Sequence, residues 1–368
     1  MKKIFLLFLV LSLASMGTLF ALDIRINEPK FLGDHPDIPE INAEIRREFD
    51  DLERELRAEL GALNTNPQKL IGAFANSSVF ASNGATNRGY GGYKTFAFSV
   101  GSKFGMQLPE DPRNFIDDFE EKIDNLFADS DIAFGANAQI LNAQLGINTS
   151  FLLDGLYLGL KFGYINMPID VFHFNTLSAG ATANYQLIKR KSLPLGVIQW
   201  RGINIGTGFI MQNSKLSMDL PLETEYNDGV EKIEIAGEEI SVNVEGNMHV
   251  NFNINTYTIP LEVMTSIRLF WFLNLAAGVG VDIGFGNAHL DVGGSIVANF
   301  YDLPEDITQK EPGSMIISMG GNAGPTLFNP KLIGGLGFSL GPVILDIPFT
   351  YYPLDHGYNL GITLGIVF

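Results

Sequence analysis

From residue 94 to the C-terminus, apolar residues alternate with glycine or polar residues in one segment after another. The clearest segment, 273–286, has Leu, Ala, Val, Ile and Phe at its odd positions and mainly Asn, Gly and Asp at its even positions. Successive side chains of a β-strand point to opposite faces, so each segment has one apolar face. Each run is about ten residues long, the length that a tilted strand needs to cross a bilayer. The alternation predicts an all-β fold, an antiparallel transmembrane β-barrel.

The same alternation predicts ten wall strands. They are 94–107, 133–151, 155–167, 175–188, 196–218, 246–268, 273–287, 331–340, 343–352 and 357–368. Residues 213–245 and 286–328 have room for further pairs, so we expect a barrel of about 10–14 strands. In two strands the apolar face changes, near 138–141 and near 254–257, and this predicts a β-bulge in each of them because a bulge shifts the alternation by one residue.

Composition agrees with a lipid-facing wall and excludes several other classes. Charged residues make up 18% of the chain and there are 40 glycines, whereas an ordinary soluble domain has about 25% charged residues. The chain has no cysteine, which rules out a disulfide framework and zinc motifs built on cysteine. The net charge of −17 argues against a nucleic-acid partner. A soluble β-sandwich also alternates, but it would seldom carry so much glycine on its second face.

Residues 1–21 have the form of a secretory signal peptide. Lys2 and Lys3 precede the apolar run 4–13, and small residues follow it. Cleavage is predicted after Ala21; cleavage after Gly17 and an uncleaved membrane anchor are the alternatives. Export of so apolar a chain predicts that it resides in the cell outer membrane.

Two further segments precede the barrel, which is assigned to residues 93–368. Residues 22–61 contain a predicted amphipathic helix, 37–60, with one apolar stripe. We expect the stripe to pack on the rest of the chain; self-association or a periplasmic partner is the alternative. Residues 62–92 interleave asparagine and glycine with short apolar pieces, which is typical of a compact polar insert and predicts a plug or hatch in the lumen.

The loops predicted at the outer side are acidic. Residues 114–127 have helical spacing, with Phe115 and Phe119 on the apolar side. We expect this helix to pack on neighbouring loops; an apolar cap over the barrel mouth is the alternative. The acidic stretch 220–240 is predicted to be a solvated loop or a hairpin that projects outward.

Four charged residues fall on the glycine-lined face and therefore point into the predicted lumen: Lys103, Lys161, Asp282 and Asp346. Buried charges are costly unless they are paired or hydrated. We expect them to pair with one another or with the plug; a polar constriction that selects solutes is the alternative.

The sequence does not predict a catalytic site. Residues 337–341 match G-x-S-x-G, but that nucleophile needs a strand-to-helix elbow, and here one strand precedes the motif and another follows it. The five histidines are scattered singly. We expect no catalytic residue, no bound metal, no cofactor and no enzymatic activity.

The last strand ends in Phe368 on an alternating apolar row. This ending resembles the C-terminal assembly signal of outer-membrane proteins, which implies the barrel-assembly machinery as a partner. Together with the insert 62–92 and the segment 345–352, the alternating wall strands resemble those of outer-membrane barrels of the FadL type in their spirochaetal form. That family has an N-terminal hatch inside a barrel and imports long-chain fatty acids and other hydrophobic compounds. Its hatch carries Asn-Pro-Ala, of which Asn66 and Pro67 match and Gln68 does not.

The resemblance implies outer-membrane lipid and a hydrophobic small molecule as partners. The predicted function is uptake of hydrophobic nutrients, captured on an apolar outer-loop surface at Phe115 and Phe119 and passed beside the hatch. The candidate hatch residues are Asn66, Pro67, Phe74 and Phe80. The alternatives are an outer-membrane barrel for surface interaction without transport, and a general porin for small hydrophilic solutes.

Overall fold

The computed structural model describes residues 23–33, 38–39, 42–43, 46–47, 50, 54, 67–82, 93–108, 134–169, 171–192, 197–223, 231–235, 238–301, 303 and 307–368. The predicted signal peptide 1–21, the loop helix 114–127 with Phe115 and Phe119, and the hatch residue Asn66 lie outside the described residues.

The elements, in chain order, are β1 Asp23–Asn27, β2 Lys30–Gly33, α1 Pro67–Ser82, β3 Phe96–Gln107, β4 Gly135–Asn148, β5 Leu156–Ile169, β6 Phe172–Ile188, β7 Lys191–Ser192, β8 Ile198–Glu223, β9 Glu231–Ile235, β10 Glu238–Leu269, β11 Leu273–Tyr301, β12 Ile307–Glu311, β13 Gly313–Ala323, β14 Phe328–Leu340, β15 Val343–Tyr352 and β16 Gly357–Val367. Described residues between 38 and 54 are also helical.

Ten strands close into a ring in which every neighbouring pair is antiparallel. The order is β3-β4-β5-β6-β8-β10-β11-β14-β15-β16, and β16 pairs back to β3. The outward side chains of the ring form an exposed apolar belt that includes Leu160, Phe162, Val279, Leu360 and Leu364. The predicted fold class, an all-β transmembrane barrel, is confirmed, and the ring is built from the ten predicted strands. Within the described part of the chain, no helix is long and apolar enough to cross a bilayer.

The two rims of the ring differ. The lower rim carries the end of β16 at Phe368 and the short connections 149–155, 270–272 and 341–342. The upper rim carries the longer connections, including residues 108–134 between β3 and β4. Aromatic rings mark both levels, with Phe96 on Phe368 at 4.9 Å below and Tyr257 on Phe285 at 5.4 Å above. Such girdles are typical of the interfaces that flank a lipid-facing band.

Several strands continue beyond the upper rim and form a region that we call the upper panel. β10 and β11 stay paired without interruption from Leu269↔Leu273 to Ser241↔Tyr301. β8 extends along β10, β13 lies along β11, and β1 lies along β13. The acidic stretch contributes β9, which forms a hairpin with the start of β10.

The bulge predicted in β10 is wrong, while the bulge predicted in β4 is found. The β10–β11 register runs through residues 254–257 without a shift. Phe252 and Ile254 simply face inward, where they pack with Ile71 and Ala75 of α1. In β4 the register with β3 shifts opposite Ser102, and Ile140 and Leu141 are both exposed.

The described part of the helix predicted at 37–60 lies against β2, which itself pairs with β12. Asn42 donates from Nδ2 to the carbonyl oxygen of Phe31 at 3.1 Å and accepts from the Phe31 N–H at 3.2 Å. Arg46 forms an ion pair with Glu28 at 2.8 Å. These contacts place the segment beside the upper panel rather than in or below the lumen.

Candidate functional site

Helix α1 lies inside the ring, close to the upper rim. It contacts strands on all sides, namely β3, β4, β8, β10, β11, β13 and β16. Pro67 opens the helix, a position where its missing N–H costs nothing. Ile71, Ala75, Val79 and Phe80 are fully buried. The described part of the predicted insert 62–92 is therefore a helix, although its asparagine and glycine content did not predict one.

Two of the candidate hatch residues make aromatic contacts with the wall. Phe80 stacks on Tyr352 of β15 with ring centroids 4.0 Å apart, and Phe74 packs against Phe252 of β10 at 4.8 Å. Aromatic pairs of this kind add about 0.5–1.5 kcal/mol beyond the burial of their area. The middle of α1 and its C-terminal turn are thus held by aromatic side chains.

Polar side chains on α1 also bond to the wall. Asn76 donates to Gln107 Oε1 at 2.9 Å and accepts from the N–H of Thr326 at 2.7 Å. The further bonds are Ser78 to Thr256 at 2.7 Å, Ser82 to Thr258 at 3.2 Å, and Asn359 to the carbonyl oxygen of Phe80 at 2.8 Å. Each such bond stabilises by about 0.5–1.5 kcal/mol, and leaving a buried partner unmade costs more. α1 is therefore held in the ring by hydrogen bonds as well as by packing.

Glycines on the inner wall make room for α1. A Cβ atom at Gly135 would lie 2.3 Å from the carbonyl group of Ala73, and one at Gly105 would lie 2.5 Å from the backbone of Ser77 and Ala81. Because these neighbours are helix backbone, they cannot move aside without moving the helix. At these two positions, glycine is required by the helix that the wall encloses.

A buried charge cluster lies next to the plug. Lys331 Nζ donates to Glu262 Oε1 at 2.7 Å and to Asp282 Oδ1 at 2.5 Å. Tyr352 donates its hydroxyl proton to Asp282 Oδ2 at 2.8 Å. The exposed fractions are 2% for Lys331, 3% for Glu262, 1% for Asp282 and 1% for Tyr352. Tyr352 therefore links this charge cluster to Phe80 of α1.

The four predicted lumen charges are all buried. Lys103, Lys161 and Asp346 are exposed by 3%, 6% and 5%, and Asp282 belongs to the charge cluster. Lys331 and Glu262 were missed by the sequence reasoning. Both occupy inward positions of the alternation, since each is flanked by an outward Leu332 or Leu261, so the period-two pattern held the signal.

The wall is open above the bulge of β4. β4 and β5 pair only from Asn148↔Tyr157 to Leu141↔Tyr164. Beyond that point β4 continues along β3, and β5 continues along β6. Residues 135–140 and 165–169 are all described, and no backbone ladder joins the two stretches. We call this gap the wall opening.

A polar network closes the wall opening from the inside, and we call it the amide latch. It joins β4 to β8 on the lumen side of β5 and β6, and it also includes a side chain of β6. Its bonds are Gln139 to Gln212 at 2.5 Å, Gln212 to Asn137 at 2.8 Å, Asn137 to Ser214 at 3.0 Å, and Thr176 to Ser214 at 2.9 Å. All five side chains are buried. Neutral bonds of this kind hold the upper part of β4 inward without a permanent covalent or ionic link.

One acidic side chain at the upper rim is affected by burial. Burial raises the pKa of Asp355 in the β15–β16 turn, an effect that Thr326 and Asn329 partly offset. Thr326 in turn bonds to Asn76 of α1.

Among the described residues, no cluster of three or more His, Asp or Glu side chains could hold a metal ion.

A protein-family model described as Lsa36-like matches residues 29–368. No curated protein matches the chain. Similar solved structures include the toluene transporter TbuX of Ralstonia pickettii, at 9% identity over 81% of this chain and 99% of that one, with a TM-score of 0.27. A FadL homologue of Pseudomonas aeruginosa is 10% identical over 82% and 97%, with a TM-score of 0.27.

The translocator domain of the autotransporter NalP from Neisseria meningitidis is also similar, at 8% identity over 75% of this chain and 89% of that one, with a TM-score of 0.26. The FadL type that the sequence resembles is thus among the structural neighbours. The barrel fold of this chain rests on its own strand pairing.

Proposed function

This chain belongs to the Lsa36-like family, and we propose that it is an outer-membrane barrel that takes up hydrophobic compounds past a lumen plug and through the wall opening. One observation carries the proposal: the wall opening lies beside α1, and exposed Ile140 and Leu141 stand at its lower edge. A gap whose lower edge is apolar gives an apolar molecule a route to the lipid-facing wall that does not cross the polar lower lumen.

The orientation in the membrane follows from the two rims. Periplasmic turns of outer-membrane barrels are short and their outer loops are longer. The lower rim, with its short connections and Phe368, is therefore assigned to the periplasmic side and the upper rim to the outside. The predicted signal peptide and the predicted recognition of Phe368 by the barrel-assembly machinery agree with this orientation.

The contents of the lumen favour lateral exit. Below α1 the wall carries the buried charge cluster and buried amides such as Asn142 and Asn274. An apolar molecule gains about 25 cal/mol per Å² of surface that leaves water for an apolar phase, and a charged lumen offers no such phase. The exposed apolar side chains of Ile140 and Leu141, at the lower edge of the wall opening, do. Capture at Phe115 and Phe119 remains the proposed first step.

The amide latch must open for a compound to leave by this route. Locking it by the double substitution Asn137→Cys with Ser214→Cys is straightforward in a chain without cysteine. We expect the oxidised variant to lose uptake of a fluorescent long-chain fatty acid, and a reductant to restore it. The matched control is Ala183→Cys with Thr207→Cys, which bridges β6 and β8 where the wall is already paired and should leave uptake unchanged. Equal uptake by the locked and reduced latch would reject the route.

The upper panel favours a second candidate function, surface interaction without transport. Its outward side chains are polar, and they include Asn213, His249, Asn251, Asn253, Asn255, Asn287, His289 and Asn322. A polar sheet above the membrane is not required for uptake. Absence of fatty-acid uptake by the reduced latch variant and by the unmodified protein would favour this function, and a steady open conductance in planar bilayers would favour a porin.

A further inference from the structure

Asparagine marks the place where the apolar surface ends on the outside of the ring. On five neighbouring strands, the lipid-facing row of outward side chains ends at Tyr164 of β5, Leu177 of β6, Met211 of β8, Tyr257 of β10 and Phe285 of β11. On every one of these strands the next outward residue above is an asparagine. We call these five residues the asparagine belt: Asn166, Asn175, Asn213, Asn255 and Asn287.

Asparagine is an unusual choice for these positions. It is depleted in β-strands, because its short side chain competes with the backbone for hydrogen bonds. Higher on the same outward face the residues become acidic, as at Asp219 of β8 and Glu245 of β10, so contact with water does not require asparagine. The asparagine belt therefore reflects what surrounds the ring at that height.

The second tier of outward residues, one step above the asparagine belt, contains no acidic side chain. It consists of Pro168, His173, Lys215, Asn253 and His289, all of which are described. The whole chain has 41 Asp and Glu against 24 Lys and Arg, so two tiers without a carboxylate are a local departure. One tier higher on β11, the carboxylate of Asp291 lies 3.6 Å from His249. An anionic headgroup beside the two tiers meets no like charge within them.

The asparagine belt offers hydrogen-bond donors and acceptors together. Asn213 donates to Asn255 Oδ1, and Asn287 donates to Asn322 Oδ1 at 3.4 Å. Each carboxamide has two donor protons and an acceptor oxygen with two lone pairs, so these pairs retain groups that can bond outward. Sugar hydroxyls also donate and accept, whereas a phosphate only accepts and is bound best by Arg or Lys. Lys215 is the one Lys or Arg in the two tiers, so sugar hydroxyls fit this surface better than bare phosphate.

The height of the two tiers favours a large headgroup. Two residues along a strand tilted by about 40° rise roughly 5 Å, so Asn255 and Asn253 lie about 5 Å and about 10 Å above Tyr257 of the upper girdle. The headgroup zone of a phospholipid bilayer is about 5–8 Å thick on each side, and it ends near the first tier. A headgroup of several linked sugars extends past both tiers.

We propose that the asparagine belt and the second tier bind the sugar headgroup of a glycolipid in the outer leaflet, while its acyl chains lie on the apolar wall below. This inference goes beyond uptake, although it rests on the orientation assigned under Proposed function. The surface is continuous with the lipid-facing wall. A lipid that packs on Tyr257 and Phe285 therefore brings its headgroup to Asn255 and Asn287.

Native mass spectrometry of the purified full chain tests this site. The probe is lipopolysaccharide truncated to its inner-core sugars. Phosphatidylglycerol is the comparison, because it has acyl chains and a negative charge without those sugars. We expect Asn213→Ala with Asn255→Ala to bind the lipopolysaccharide about tenfold more weakly, the effect of losing one or two hydrogen bonds, and to bind phosphatidylglycerol unchanged. Asn213→Gln with Asn255→Gln keeps both carboxamides and should retain most of the affinity.

The matched control is Asn243→Ala with Asn247→Ala, higher on the outward face of β10. It removes the same number of carboxamides outside the two tiers and should leave lipopolysaccharide affinity unchanged. Each variant is compared as the folded barrel, identified by its gel mobility. Equal losses in the two alanine pairs, or no loss in either, would overturn the site. An equal loss of phosphatidylglycerol affinity in Asn213→Ala with Asn255→Ala would also overturn it, since the contact would then not depend on the sugars.

Two further results would assign the surface to another ligand and overturn the proposal. Deacylated core oligosaccharide that binds as tightly as the intact lipopolysaccharide would indicate a soluble glycan. A dimer of the unmodified chain that Asn213→Ala with Asn255→Ala abolishes would indicate self-association.

Cysteine labelling and uptake separate this inference from the proposed function. A membrane-impermeant maleimide should label Leu354→Cys, in the exposed upper β15–β16 turn, in intact cells. Labelling only after permeabilisation would place the asparagine belt at the periplasmic leaflet and overturn the glycolipid site, whatever the uptake assay gives. If labelling and lipopolysaccharide binding agree with the proposal but uptake is absent, the glycolipid site stands and the transport function is rejected.

Discussion

The wall below the upper rim and the panel above it share strands β8, β10 and β11 but face different solvents. In β11 the odd residues Val279 and Phe285 face outward and Asp282 faces inward. Above the rim the odd residues still face outward, but they are polar, as at His289, while Leu290 is buried on the inside. In β11 the alternation continues without a break, but its polarity inverts above the rim. Outside the ring, water replaces lipid at this level, and inside the ring, α1 supplies an apolar surface.

The comparison teaches that parity and polarity carry separate information. Parity says which side chains share a face, and polarity says what that face touches. A change of apolar face along a strand therefore has two causes, a bulge or a change of surroundings. β4 shows the first cause, since its register shifts at Ile140 and Leu141. β10 shows the second, since its register is continuous through residues 254–257.

The largest effect is expected where a charge is buried inside the wall. Lys331→Met leaves the carboxylates of Glu262 and Asp282 without their cation, and removing one partner of a buried pair costs about 3–5 kcal/mol. The control is Lys30→Met in β2, where the ion pair with Glu311 is half exposed, so the change in the free energy of unfolding should be barely measurable. Urea unfolding of the refolded barrel in detergent measures both. Equal effects would mean that the inward charge cluster is hydrated rather than buried.

A second test compares the inward and outward faces of the panel at neighbouring positions. Leu290→Ala removes a side chain that is 2% exposed in the cluster around Ile71, and we expect a loss of about 2–5 kcal/mol. His289→Ala, one residue earlier on the outward face, should change stability by less than about 0.5 kcal/mol. The same unfolding assay applies. A larger loss for His289→Ala would place the panel's core on the other face.

A third test concerns the space that the plug needs. Gly135→Ala forces a Cβ atom against the carbonyl group of Ala73, and overpacking of this kind costs about 1–3 kcal/mol. Gly334→Ala is the matched control, since a Cβ atom there meets nothing within 4 Å. Thermal unfolding should separate the two variants, and Gly135→Ala should also open more often in planar bilayers. Identical behaviour would mean that α1 does not lie against β4.

The smallest effect is a pH dependence at the upper rim. The pKa of Asp355 in the folded protein lies above its ordinary value of 3.8. The protonated form is therefore favoured by folding, and its contribution is present below pH 3.8 and is lost as pH rises through the raised pKa. Subtracting the Tm profile of Asp355→Asn from that of the unmodified protein should isolate this decline. A difference that grows more stabilising with rising pH would contradict it.

The ring of ten strands could be predicted because every wall strand meets the same two environments, lipid and lumen. The charges at Lys331 and Glu262 were within reach of the same pattern. The helix α1 was not, because its Asn, Ser and Gly residues are poor helix formers in isolation and only the enclosing wall makes the helix stable. The full length of β10 and β11 was also hidden, since their polarity inverts at the rim. The amide latch joins strands far apart in sequence, so no local spacing reveals it.

The plug can be tested most directly by one disulfide between α1 and the wall. Ser78 and Thr256 are both buried, and their hydroxyl oxygens lie 2.7 Å apart. In the purified barrel, Ser78→Cys with Thr256→Cys should form a disulfide nearly completely under mild oxidation. Ser77→Cys with Thr256→Cys should remain reduced, because Ser77 lies about 100° around the helix from Ser78 and its hydroxyl donates to the carbonyl oxygen of Ala73. Cross-linking of the first pair alone is the result that a lumen helix requires. Two free thiols in the first variant, in a barrel that is otherwise folded, would mean that α1 does not occupy the lumen.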